Sequence, residues 1–167
     1  MIGNDIVDLV LASKESNWKR KGFLEKIFST KEQELIQNAL NPELMVWNLW
    51  SRKEASYKIY NRQTGIKGYF PWLLECQFDN IYSGTVTIDD FIFYTKTEIT
   101  NTYIYTIAVL ETAIFAEIKS LKTRENILKN NGIPYIIDNS TNIILPVSIT
   151  HHGQFQRMIY INQESKS

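Results

Sequence analysis

The stretch that begins at Asn41 constrains the fold most. Asn41-Pro42 reads as a helix start, with a capping asparagine and a proline at the first helical position, where a missing N–H costs nothing. The helical pattern covers roughly 42–62 and gives way at Gly65 and Gly68. Trp47, Trp50, Glu54 and Lys58 recur along it at steps of three and four, which places them on nearly one face. Tryptophans need burial, whereas a carboxylate and an ammonium need water, a partner or a ligand. That mixture points to the rim of a pocket. A plain exposed i,i+4 ion pair is the alternative for Glu54 and Lys58.

The surroundings imply what such a helix packs against. Residues 72–110 contain four segments rich in aromatic and β-branched residues, separated by turn signals at Tyr82-Ser83-Gly84, Asp89-Asp90 and Thr100-Asn101. This predicts an antiparallel meander. Residues 1–10 predict a short strand on which Asp5 and Val7 share a face and Asp8 points to the other. Ser29 and Glu32 have capping-box spacing before a further helix. Residues 143–161 return to β, with a turn at His151-His152-Gly153. Over 113–131 the spacing of Ile114, Ile118, Leu121 and Leu128 favours a helix, and a hairpin turning at Asn131-Gly132 is the other reading. The fold class is therefore α+β, an antiparallel sheet packed on a long helix.

Length and charge narrow the function. At 167 residues and 19.5 kDa the chain is one compact domain or two joined halves, divided as 1–110 and 111–167. Lys plus Arg total 18 and Asp plus Glu total 18, which argues against a nucleic-acid partner. The lone Cys76 excludes an intrachain disulfide and a Cys-rich zinc site. No apolar run approaches the ~18 residues of a membrane helix, and the start of the chain does not read as a signal peptide. The expectation is a soluble cytoplasmic protein with no membrane partner.

Three constellations carry potential chemistry. In Gly3-Asn4-Asp5 an acid on a strand is a metal ligand or a turn acid. Trp50-Ser51-Arg52-Lys53-Glu54-Ala55-Ser56-Tyr57-Lys58 holds the paired charges described above. In Ser148-Ile149-Thr150-His151-His152-Gly153 a strand-end histidine with Thr150 could hold a phosphate, or could be a satisfied turn residue. Adjacent histidines on a strand point apart, so a shared metal is disfavoured. The cationic stretch at 14–31, including Lys19, Arg20 and Lys21, is a solvated face or a docking surface for an acidic partner.

Taken in this order, with Phe28-Ser29-Thr30-Lys31-Glu32 between the first two, these motifs resemble the 4′-phosphopantetheinyl transferase superfamily. The order is similar to that of the short holo-acyl-carrier-protein-synthase type, although the chain is longer, with features of the two-half surfactin type. The resemblance implies an Mg²⁺-dependent transferase that uses coenzyme A as substrate. It moves the phosphopantetheine arm to a serine of an apo acyl or peptidyl carrier protein, in fatty-acid, polyketide or peptide synthesis, and releases 3′,5′-ADP. It implies Asp5 and Glu54 as metal ligands, Glu54 and Lys58 as catalytic residues, and Lys58, Thr150 and His151 as contacts to the coenzyme A phosphates. Asp8 and Glu32 are further candidates, and Lys19, Arg20 and Lys21 are candidates for carrier docking.

Two departures accompany the resemblance. Val7 stands where surfactin-type enzymes carry a second carboxylate. Gly132-Ile133-Pro134 lacks the lysine of the family's G-K-P, for which Arg124, Lys129 and Arg157 are candidate replacements. These departures motivate a rival reading, a catalytically inactive relative that binds carrier protein or coenzyme A. The short type is trimeric and the surfactin type joins two halves in one chain, so homotrimer and two-half monomer both stand as expectations.

Overall fold

β1 (Ile2–Asp8) passes directly into α1 (Leu9–Glu15), because the Asp8 carboxylate caps that helix on the N–H groups of Val10 and Leu11. These coordinates come from a computed structural model, and residues 1–162 are described. α2 (Phe23–Ile27) and α3 (Thr30–Asn38) follow. Ser29 and Glu32 form the complete capping box that their spacing predicts. α4 (Pro42–Thr64) is the long helix, capped by the Asn41 side chain on the Leu44 N–H.

The meander forms as expected from β2 (Glu75–Asn80), β3 (Ser83–Ile88), β4 (Phe91–Ile99) and β5 (Tyr103–Val109). β1 adds antiparallel to β5, from Ile2 opposite Val109 to Asp8 opposite Tyr103, giving the order β1-β5-β4-β3-β2. α4 lies across this sheet. Its Val46, Leu49, Ala55 and Ile59 are buried with Val86, Phe93, Ile104 and Ala108 of the strands.

A second five-stranded antiparallel sheet holds the rest: β6 (Ile118–Ser120), β7 (Leu128–Asn130), β8 (Ile133–Ile137), β9 (Ile144–His152) and β10 (Phe155–Ile161), in the order β6-β10-β9-β8-β7. The helix favoured over 113–131 is therefore not present. Only a 3₁₀ segment occurs, at Thr112–Glu117, and the chain then pairs as strands. Asn131 and Gly132 both take positive φ, 49° and 82°, which is the backbone of a tight hairpin turn between β7 and β8. That local turn takes Leu128 out of the loose helical spacing, and pairing of Ile118 opposite Ile161 of β10 takes out the other end. β9 also runs further than expected, through His152, so the turn after it is Gly153-Gln154. No helix among the described residues is long and apolar enough to cross a membrane.

The two sheets meet along β1. Its inner edge hydrogen-bonds to β5, and its outer edge is closed by side chains of β9. The N–H groups of Asn4, Ile6 and Asp8 donate to Ser148 Oγ, Thr150 Oγ1 and His152 Nδ1, at 3.0, 3.1 and 2.8 Å. The carbonyls on that edge take cations from α4. Lys58 Nζ donates to Asn4 O at 2.6 Å and Ile149 O at 3.2 Å, while Arg62 donates to Ile2 O and Val147 O. Every backbone group named here would otherwise be a buried or edge-exposed polar group without a partner.

α4 and β1 approach so closely at Gly3 that a Cβ there would overlap the Ala55 carbonyl oxygen. That approach brings Asp5, two residues on, alongside Glu54. Gly3→Ala is expected to push β1 off the helix and cost about 1–3 kcal/mol, the range for overpacking. A fall of several degrees in the thermal unfolding midpoint would register it, and an unchanged midpoint would show that the two backbones separate freely.

Candidate active site

Two clefts flank the α4–β1–β9 junction, and His151 belongs to both. The first, of about 270 Å³, holds Asp5 of β1 and Glu54 of α4, walled by Val7, Trp47 and Trp50 and by Ala12 and Ser16 near the end of α1. The second, of about 380 Å³, is lined by Lys58 and Arg62 of α4, by Arg124 and Lys129, and by Gly132, Ile133 and Pro134 at the β7–β8 turn. One cleft thus presents paired carboxylates, and the next presents four cations with no carboxylate among its described residues.

Asp5 is held in place by Thr150 and Ser51. Thr150 Oγ1 lies 3.3 Å from Asp5 Oδ1, and Ser51 Oγ donates to the Asp5 carbonyl at 3.4 Å. Asp5 Oδ2 is buried with no hydrogen-bond partner. Burial raises the Asp5 carboxyl to about 6, against the pull of nearby Lys58. Burial and the neighbouring Asp5 charge raise Glu54 to about 7. Burial lowers the Lys58 ammonium, opposed by Asp5 and Glu54, and brings Arg62 down to about 10. An orphaned carboxylate oxygen beside a second carboxylate is the donor set that a hard divalent cation takes up, with its remaining positions left to water and phosphate. No group of three or more His, Cys, Asp or Glu suited to a metal occurs among the described residues, so such a cation would have only these two protein carboxylates.

The remaining sequence candidates fall out differently. Asp8 is not turned toward the carboxylate pair. Its oxygens accept from Val10, Leu11 and Gln154 N–H groups, so it is the cap of α1 and the tie to the β9–β10 turn. Glu32 is fully buried and away from both clefts, 2.7 Å from Lys53 Nζ, and it accepts from the N–H groups of Ser29 and Cys76. Its capping reading is therefore sufficient. Thr150 does not line the cationic cleft. Strand alternation turns it inward to β1, and its hydroxyl serves Ile6 and Asp5. His151, one residue on, faces outward into both clefts. Of the proposed lysine replacements, Arg124 and Lys129 line the cationic cleft. Arg157 instead covers the Tyr103 and Tyr105 rings at 5.3 and 5.9 Å. Lys19, Arg20 and Lys21 are exposed in the turn after α1, close in sequence to the cleft-lining Ser16.

Arg62 was not singled out by the sequence, although it continues the step of four through Glu54 and Lys58. That regular step was the available signal. Trp47 and Trp50 do line the carboxylate cleft, as a pocket rim requires.

A family model described as the 4′-phosphopantetheinyl transferase superfamily matches residues 1–112. Holo-[acyl-carrier-protein] synthase from Helicobacter pylori, solved in complex with coenzyme A, is similar in fold at a TM-score of 0.52 and 19% identity, over 66% of this chain and 100% of that one. The Bacillus anthracis enzyme, in complex with CoA (3′,5′-ADP), gives 0.51 and 20%, over 66% and 94%. The Thermotoga maritima enzyme gives 0.51 and 13%, over 96% and 82%. No curated protein sequence matches the chain.

The raised carboxyls set a sign for pH dependence. A carboxyl whose folded pKa exceeds its unfolded value is favoured neutral, so the protein without a divalent cation loses stability as pH rises from about 4 through about 7. Glu54→Gln is expected to remove much of that loss, worth up to about 3 kcal/mol at pH 8. Thermal unfolding of both proteins at pH 5 and pH 8 measures it, and parallel pH curves would show that Glu54 ionises freely.

Proposed function

Because the chain belongs to the 4′-phosphopantetheinyl transferase superfamily, we propose that it transfers the phosphopantetheine arm of coenzyme A to a serine of an apo carrier protein. The observation that carries this reading is the shared position of His151, between a cleft of paired carboxylates and a cleft of four cations. A diphosphate laid across that junction meets cations on one side and a metal-binding pair on the other.

Asp5 and Glu54 would hold Mg²⁺, which supplies charge neutralisation at the diphosphate when bound. The chain's own residues do the rest. Two of the three Lys58 donors are engaged by carbonyls, leaving one for a phosphate oxygen in the cleft that it lines. Arg62, Arg124, Lys129 and His151 surround the same space and would neutralise the remaining phosphate charge. The serine oxygen forms a bond to the phosphorus of the arm, the diphosphate P–O bond breaks, and 3′,5′-ADP leaves with its charge compensated by Lys58. Glu54, which lines the carboxylate cleft, is the candidate base for the serine proton. This is positioning and electrostatic stabilisation, as phosphoryl transfer requires. The exposed Lys19-Arg20-Lys21 turn, three to five residues after the cleft-lining Ser16, suits an acidic carrier protein.

We also read the two sheets as unequal halves that complete one site within a single chain, since β9 brings His151 to the α4–β1 carboxylates without a second subunit. Fatty-acid, polyketide and peptide synthesis are the settings in which such a carrier is used, and the cytoplasm is the compartment this reading assigns.

Incubating the protein with coenzyme A, Mg²⁺ and apo carrier proteins is expected to add one phosphopantetheine to the carrier, seen by intact mass. Asp5→Ala and Glu54→Ala are each expected to lower transfer by at least a hundredfold. Coenzyme A binding without transfer to any carrier tested would favour the inactive-relative reading. Arg124→Ala/Lys129→Ala is expected to raise the KM for coenzyme A about tenfold, with a smaller effect on kcat. A KM equal to that of the unaltered protein would remove those two cations from the site.

A further inference from the structure

The residue after Gly68 is a tyrosine that the transfer scheme leaves unused. Tyr69 follows α4 in the connection to β2, and its ring packs edge-on against Trp50 and Tyr57 of α4, at centroid distances of 5.7 and 4.9 Å. Those two residues flank Glu54 on the helix, at steps of four and three, and each lines one of the two clefts. The Tyr69 hydroxyl is buried and has no hydrogen bond within ordinary geometry. It lies beside the Glu54 carboxylate, close enough to favour its ionised form, and the Asp5 charge reaches it as well.

The segment that delivers Tyr69 is pinned from inside the core. The Tyr57 hydroxyl accepts from the Gly68 N–H at 3.2 Å, and Lys53 Nζ donates to the carbonyls of Pro71 and Leu74 on the other side. Lys53 is itself fully buried and paired with Glu32. Consecutive residues of α4 thus face different ways: Lys53 anchors the segment from the core, and Glu54 lines the carboxylate cleft. A buried hydroxyl without a partner costs about 1–3 kcal/mol, and the Glu54 carboxylate is an acceptor able to relieve that cost.

We infer that Tyr69 is a positioning residue whose hydroxyl donates to the Glu54 carboxylate and fixes its orientation toward Asp5. Resting on the proposed metal-binding role of Glu54, this adds an outer contact to one of the two ligands. Outer contacts of this kind hold a ligating carboxylate to one rotamer, and their loss typically costs 10–100-fold in metal affinity.

Two measurements on the full chain test it. The first uses the protein without metal, labelled with ¹³C at the tyrosine ζ-carbon. Tyr69, assigned by its absence in Tyr69→Phe, is expected to change its resonance in Glu54→Gln, and no change would overturn the inference. The second uses Mn²⁺ as the probe, with binding read by electron paramagnetic resonance. Tyr69→Phe keeps the ring and its packing and is expected to weaken Mn²⁺ at least tenfold. In a Glu54→Gln background the same substitution is expected to have no further effect. Mn²⁺ affinity unchanged by Tyr69→Phe overturns the inference. If the unaltered protein binds no Mn²⁺ while the resonance responds to Glu54, the metal reading fails and the Tyr69–Glu54 contact stands.

Discussion

The outer edge of β1 is held by side chains instead of a neighbouring strand, and the site depends on that substitution. A strand edge is a row of donors and acceptors at fixed spacing. Ser148, Thr150 and His152 of β9 reach that row at every second residue and satisfy its N–H groups. Because strand side chains alternate, the intervening Ile149 and His151 must point the other way, into the clefts. The contact that joins the sheets therefore also aims the histidine. Lys58 and Arg62 complete the junction by bridging carbonyls of β1 and β9, so two cations of the cationic cleft are also structural cross-links.

The segment from Trp50 to Lys58 shows how densely one helical stretch is used. Ser51 supports the Asp5 backbone, while Arg52 closes the β2–β3 hairpin through the carbonyls of Asn80 and Ser83. Lys53 enters the core to meet Glu32 and two loop carbonyls. Glu54 faces the carboxylate cleft, Ala55 leaves room for Gly3, and Lys58 reaches β1 and β9. Two buried cations on consecutive positions are tolerable because carbonyls surround both and Glu32 meets one of them. They fix the helix against its neighbours from two sides, which keeps Glu54 at one distance from Asp5.

Much of this was legible wherever the signal is local. The Ser29–Glu32 box, the Asn41-Pro42 start and the strand boundaries of the meander are set by residues within a few positions of one another. The pairing of Glu32 with Lys53 was not legible, because the segment between them carries no pattern that brings two such charges together. Thr150 belonged with His151 only in sequence, since alternation separates their roles. Ile114, Ile118, Leu121 and Leu128 fit a helix by spacing, yet Ile118 is taken up by pairing with β10 and Leu128 by the hairpin that turns at Asn131-Gly132. Tyr69 lies in a connection with no periodicity, so nothing local announced that its hydroxyl would meet Glu54.

The sequence by itself determined β1, the two capped helices α3 and α4, the meander, the chemical types in the three motifs and the family to which their order belongs. Caps, turns and side-chain periodicity act over a few residues, and residue type fixes what each group can donate, accept or ligate. Only the tertiary structure decided which of those groups work together. It tied Asp8 to the β9–β10 turn, paired Glu32 with Lys53, sent Thr150 to hold Asp5, and enlisted Arg62, Arg124 and Lys129 beside Lys58. Those outcomes depend on contacts such as that between Asp5 and Thr150, which stand 145 residues apart. They come from how the two sheets close on β1, a long-range arrangement that no local preference encodes.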